Sequence, residues 1–205
     1  MMPTAVGQLN IDEFFIHSHK YVSALKHLLD TMDRNVVFEF INALVKTRDR
    51  GGIIYFAGNG GSAATASHFT QDLAEISNKI NTPAFKTYCL NENVPRLTAL
   101  ANDYGYEHVF SMQLKDRFTD NDLLVVLSAS GNSPNIIRTA ELAKERGGHI
   151  VGLLGFDGGK LKEMCDIVIH AKTDKWEYGI VEDIHLIVNH IIFFYLKAVL
   201  CPTES

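Results

Sequence analysis

Ser128, Ser130 and Ser133 place three hydroxyls within six residues, directly after the apolar run Leu123–Leu127 and at the start of a helical pattern. A second turn of similar make-up, Gly58-Asn59-Gly60-Gly61-Ser62, follows Ile53–Ala57. A strand that feeds a helix gathers free backbone N–H groups and the positive end of the helix dipole, which suits an anion. Serine hydroxyls add neutral donors, and glycines let the main chain approach closely. One serine suffices for a helix cap, so three point to a ligand with several acceptor oxygens, such as a sugar phosphate. A nucleoside triphosphate fits poorly, because the chain has no P-loop sequence with its lysine. Gly58-x-Gly60-x-x-Ala63 also matches a relaxed dinucleotide fingerprint, but positions 76 to 84 carry no acid to hold a ribose.

Acid–base and metal chemistry is concentrated in two further pairs. His68 and Asp72 stand i, i+4 on the helix after the first turn and so lie within about 6 Å of each other on one face. Glu182 and His190 are eight residues apart on the last helix, about 12 Å along its axis but only a fraction of a turn apart in angle. His185 falls between them. Two imidazoles and two carboxylates match zinc or another borderline divalent ion, and they match an acid–base set equally well. A plain His–Asp surface pair with a capping glutamate has the same spacing. Asn102-Asp103-Tyr104-Gly105 reads as a turn in which Asp103 either binds sugar hydroxyls or caps. Trp176 stands in a polar loop, placed to cover a pocket or to bury at a subunit contact.

These residues need a scaffold, and the hydropathy pattern supplies one. Helical spacing runs from Ile11 to Met32 and from about Val36 to Thr47, where Gly51-Gly52 stops it. Short apolar runs then alternate with helical patterns: Ile53–Ala57, Lys86–Leu90, Leu123–Leu127, His149–Leu154 and Ile167–His170. Helices are expected near Ala63–Ile76, between Leu90 and Phe118, at Asn135–Arg146 and at Gly179–Leu200. Ser133 at the N-cap, Pro134 behind it and Gly147-Gly148 at the far end delimit one of them. Five buried strands separated by helices give a parallel sheet covered on both faces, an α/β three-layer sandwich. The whole chain, 1–205, reads as one domain, with 1–50 a helical extension and 51–205 the α/β core. Ligands in such sheets sit at the carboxyl ends of the strands, where both serine-bearing turns lie.

At 205 residues and 46% hydrophobic, the chain can bury a full core. A net charge of −5 argues against nucleic acid and anionic membrane as partners. Cys89, Cys165 and Cys201 form no CxxC pair, which favours buried thiols in a reducing, cytoplasmic setting. Met1–Phe14 has no signal-peptide pattern. Ile184–Leu200 is interrupted by His185, Asn189, His190 and Lys197, so it reads as a buried or interface helix. Its run Ile191–Leu196 is apolar nearly all round, which favours self-association.

Taken together, Gly58–Ser62, His68-Phe69, Ala101–Glu107, Ser128–Ser133, Asp157–Lys160, Glu182–His185 and His190 resemble the sugar isomerase (SIS) domain family, in its phosphoheptose isomerase branch. The resemblance implies a flavodoxin-like five-stranded parallel sheet and a homotetramer with active sites at subunit interfaces. It also implies zinc-assisted conversion of sedoheptulose 7-phosphate to D-glycero-D-manno-heptose 7-phosphate, a heptose precursor for lipopolysaccharide or capsule. By position, Ser62, Ser128, Ser130 and Ser133 match phosphate-holding serines, with Asn59, Gly60, Gly61, Ala129 and Asp103 in the substrate-binding motifs. His68 and His190 match zinc ligands, and His190 is also a catalytic acid or base. Asp72 replaces a metal-binding catalytic glutamate, and Glu182 a glutamine ligand, leaving either carboxylate to act as the base. Ala129 replaces a threonine, Ile76 an active-site arginine and Gly179 an aspartate. The alternatives within the family are an isomerase of another phosphosugar and a non-catalytic sensor or replication-initiator-binding module.

Overall fold

The computed structural model describes residues 9–80 and 83–201. Two helices, α1 (Ile11–Thr31) and α2 (Arg34–Asp49), precede the first strand, β1 (Ile53–Gly58). Then follow α3 (Gly61–Ser77), β2 (Lys86–Cys89), α4 (Val94–Tyr104), the short α5 (Ser111–Leu114), β3 (Leu123–Ser128) and α6 (Pro134–Glu145). The chain closes with β4 (His149–Gly155), β5 (Ile167–Ala171) and α7 (Tyr178–Leu200). All strand pairings are parallel, in the order β2-β1-β3-β4-β5. The expected α/β three-layer architecture is therefore present, and the five strands lie within a residue or so of the apolar runs.

Alternation along the strands divides the core in two. Ile54, Phe56, Val125, Leu127, Val151 and Leu153 pack on one face with residues of α2, α3 and α7. Tyr55, Ala57, Leu124, Val126, Ile150 and Leu154 pack on the other, with α5 and α6. Every residue of β3 is buried, as a central parallel strand covered on both faces requires. Ile76 is fully buried in the first of these clusters.

α7 is long and apolar enough to cross a membrane by length and composition alone. Here it is a core helix: Val181, Ile184, Val188, Ile192 and Leu196 pack into the layer beside α3. One expected turn is a helix instead. Asn102, Asp103 and Tyr104 form the last turn of α4, which Pro95 opens and Gly105 ends with φ +90. Asn93 caps it by accepting from the Arg96 N–H, so the α4 helix begins earlier and runs longer than a turn around Asp103 allows.

Candidate functional site

The strand order reverses between β1 and β3, and a doubly wound sheet opens its crevice at that switch point. Gly58 pairs with Leu127, which sets the two serine-bearing turns side by side. Asn59 and Asn135 lock them together through a reciprocal amide pair, 2.9 Å in each direction. The Tyr106 hydroxyl donates to Asn59 Oδ1 at 3.0 Å, and Asn135 is buried. A cleft of about 150 Å³ opens there, lined by Asn59, Ser62, Ser128, Ala129, Ser130 and Ser133, with Tyr178 and Glu182 from α7. This gathers most of the residues that the sequence nominates for the anion.

Local conformation leaves the serine hydroxyl protons available, while the Gly131 and Asn132 N–H groups donate to Ser128 Oγ at 3.1 Å and Ser130 Oγ at 3.2 Å. Ser133 is the N-cap of α6, yet its hydroxyl makes no capping bond. The cap of α3 is Gly60, so Ser62 stands in the first turn rather than serving as the cap. Gly131 turns the second loop at φ +61, and an added Cβ would run into the Gly158 carbonyl, so only glycine fits. Gly61 is needed for proximity: a Cβ there would lie 2.5 Å from Glu182 Oε1. The cleft therefore holds one carboxylate and, among its lining residues, no lysine or arginine. Asp103 is exposed, accepts from the neighbouring Asn102 amide and is not part of this lining. Trp176 is 79% exposed and sets its ring edge-on to Tyr178 of the cleft, with centroids 6.0 Å apart.

The histidine cluster is built from α3 and α7, which also supply Ser62, Tyr178 and Glu182 to the cleft. His68 Nε2 lies 3.4 Å from His190 Nε2 and 3.5 Å from Asp72 Oδ2. Ligand atoms of His68, Asp72 and His190 all fall within 4.8 Å of one another. Bonds of about 2.0–2.1 Å to a tetrahedral ion put neighbouring ligands roughly 3.3 Å apart. The 3.4 Å and 3.5 Å separations approach this, so the imidazole–imidazole–carboxylate set could hold a divalent ion such as zinc. Glu182 is not in this group of three; it stands at the cleft end of α7, against the first turn of α3. Asp72 is largely buried and accepts a 2.7 Å hydrogen bond from the Asn189 amide.

Two neighbours of the site have displaced titrations. Desolvation, then the hydrogen bond and charge of Asp183, with Glu182 behind it, push the Tyr21 phenol up to about 12. Tyr21 donates to Asp183 Oδ2 at 2.6 Å, which ties α1 to the first turns of α7 beside Gly179. Burial pushes His185 down to about 4. Its Nε2 lies 3.4 Å from the Leu154 carbonyl and its Nδ1 has no partner among the described residues, so it belongs to the core and not to the cluster.

A family model described as SIS domain matches residues 19–155. The chain belongs to the SIS domain family. This SIS domain is 38% identical over 151 residues to the phosphoheptose isomerase of Rhodospirillum rubrum, a match covering 74% of this chain and 79% of that one. It is 33% identical over 180 residues to the Helicobacter pylori phosphoheptose isomerase, covering 88% and 90%. The structure of the Neisseria gonorrhoeae phosphoheptose isomerase superposes with a TM-score of 0.81 at 27% identity, covering 92% and 98%.

The sequence does not single out three residues of this SIS domain site as site residues. Asn135 and Asn189 are polar side chains almost wholly buried beside the site, and Tyr178 lines the cleft. An asparagine inside the apolar stretch Ile187–Ile192 is the one signal that pointed to Asn189 in advance.

Proposed function

We propose that this SIS domain is a phosphosugar aldose–ketose isomerase acting on sedoheptulose 7-phosphate to give D-glycero-D-manno-heptose 7-phosphate. The observation that carries this reading is that the serine-lined cleft adjoins the His68/Asp72/His190 cluster through shared helices: Ser62 on α3 and Tyr178 and Glu182 on α7 line the cleft, and α3 and α7 carry the cluster. The relatives bearing the name phosphoheptose isomerase support the choice of substrate. Ser62, Ser128, Ser130 and Ser133, with backbone N–H groups at the starts of α3 and α6, would hold the phosphate. The sugar carbonyl end then extends along α3 toward Asp72.

Isomerisation moves one proton between adjacent carbons through an enediol. Asp72 is the base for that transfer, and Glu182 is the second candidate; His190 exchanges a proton with the sugar oxygens. His68, Asp72 and His190 would hold zinc, with Glu182 as a fourth ligand if its side chain swings toward them. A divalent ion bound there supplies polarisation of the carbonyl, which lowers the cost of the enediolate. Assembly into a tetramer is part of the proposal, and the exposed Ile191, Phe194 and Tyr195 on α7 support it.

Turnover of Asp72→Asn and Glu182→Gln tests the assignment. Loss of activity in at least one supports it; full turnover in both rejects it. A sensor is favoured by one observation, the fully buried Ile76 where the family resemblance calls for an arginine. Tight phosphosugar binding with no turnover would select that reading.

A further inference from the structure

α3 and α7 meet in a two-by-two arrangement. His68 faces His190, and one turn farther along α3 Asp72 faces Asn189. Asn189 is 1% exposed and lies in the apolar stretch Ile187-Val188-Asn189-His190-Ile191. Burying an amide is unfavourable unless it is paired, and here the pair is a carboxylate 117 residues away in the chain. A carboxylate only accepts, so the amide must present Nδ2 to it, which fixes the flip.

The bond matters because of where it ends. Asp72 Oδ2 accepts from Asn189 at 2.7 Å and is the same oxygen that stands 3.5 Å from His68 Nε2. The second torsion of an aspartate is broad and roughly two-fold, so packing alone leaves the carboxylate plane loosely set. A hydrogen bond to one oxygen selects one orientation. The donor is neutral, so it orients the carboxylate without cancelling the charge that a cation or a migrating proton needs. A lysine or arginine at position 189 would orient it and neutralise it together.

From this geometry we infer that Asn189 is a positioning residue for Asp72, setting the carboxylate against the His68/His190 pair. The inference rests on the isomerase reading for its kinetic consequence but not for its binding consequence. Residues that orient a ligand from behind typically change metal affinity or activity by about 10–100-fold when removed. Asn189→Leu keeps the branched shape and removes the donor.

The test uses the full chain, stripped of metal and titrated with zinc against a chromogenic chelator. Asn189→Leu should bind zinc about 10–100-fold more weakly than wild type. Its kcat should fall while KM stays within about twofold, because the serine-lined cleft is untouched. In an Asp72→Asn background the same change should have no further effect. If Asn189→Leu fails to fold, the Asn189 side-chain amide of metal-free wild-type protein is read by NMR. Slow exchange and a shift on Asp72→Asn support the inference; a freely exchanging amide overturns it. Equal zinc affinity in wild type and folded Asn189→Leu also overturns it, as does a wild type that binds no divalent ion. A wild type that binds zinc but does not isomerise the sugar overturns the activity alone, and the affinity comparison still decides the role of Asn189.

Discussion

Gly61→Ala separates the site from the scaffold more cleanly than any change to a reacting group. A methyl at position 61 would lie 2.5 Å from Glu182 Oε1 and closer still to the rest of that carboxylate. A carbon–oxygen contact settles at about 3.3 Å, so the carboxylate must retreat by roughly 1 Å. The clash meets the far end of a flexible side chain, which moves at little energetic expense. Gly61 also opens α3 without a positive φ, and alanine there recovers up to about 1 kcal/mol of helix propensity. A misplacement near 1 Å at a reacting group costs about 100-fold in rate. The expected variant is thus as stable as the wild type or more so, with turnover lower by about two orders of magnitude. Urea denaturation reads the first and NMR-monitored sugar conversion the second. Turnover within a few-fold of wild type, in a variant of unchanged stability, would refute the placement of Glu182 in the working site.

Gly131→Ala should behave in the opposite way. With φ +61 and the Gly158 carbonyl in the path of the new methyl, it should lose more than about 1 kcal/mol in urea denaturation before any kinetic effect is measured. His185 predicts acid sensitivity. Its folded-state value near 4 lies below the unfolded value of 6.5, so below about pH 6.5 the unfolded chain takes up the proton first. Stability should therefore fall as the pH drops from 6.5 toward 4, by on the order of 3 kcal/mol at most, and His185→Leu should flatten that slope in denaturation curves. His190→Ala should weaken zinc binding by at least about 100-fold, beyond what loss of a supporting residue produces. Equilibrium dialysis of metal-stripped protein measures it.

The sheet was legible because buried parallel strands read as uninterrupted apolar runs; Leu123–Leu127 and Ile53–Ala57 are such runs, and both end in the turns that form the cleft. The serine constellation was legible for the same reason, since strand–turn–helix order fixes where those hydroxyls go. Helical periodicity also brought His68 and Asp72 together. What spacing could not give was the meeting of α3 with α7. Eight residues from Glu182 to His190 fix an angle on one helix, but the register of that helix against α3 is set by side-chain packing. This register puts His190 and Asn189 at His68 and Asp72, and leaves Glu182 against Gly61. Asn102-Asp103-Tyr104-Gly105 has turn composition, but Asn93 and Pro95 start a helix that carries through to Tyr104. The amide pair of Asn59 and Asn135 joins residues 76 apart, and no local signal announces it.

On the proposed reading, the cleft and the histidine cluster together interconvert a ketose and an aldose phosphate. NMR-monitored conversion of sedoheptulose 7-phosphate by metal-free protein, with and without added zinc, tests it most directly. Zinc-dependent appearance of an aldoheptose 7-phosphate is the expected result. Folded, zinc-loaded protein that leaves the ketose unchanged would contradict it.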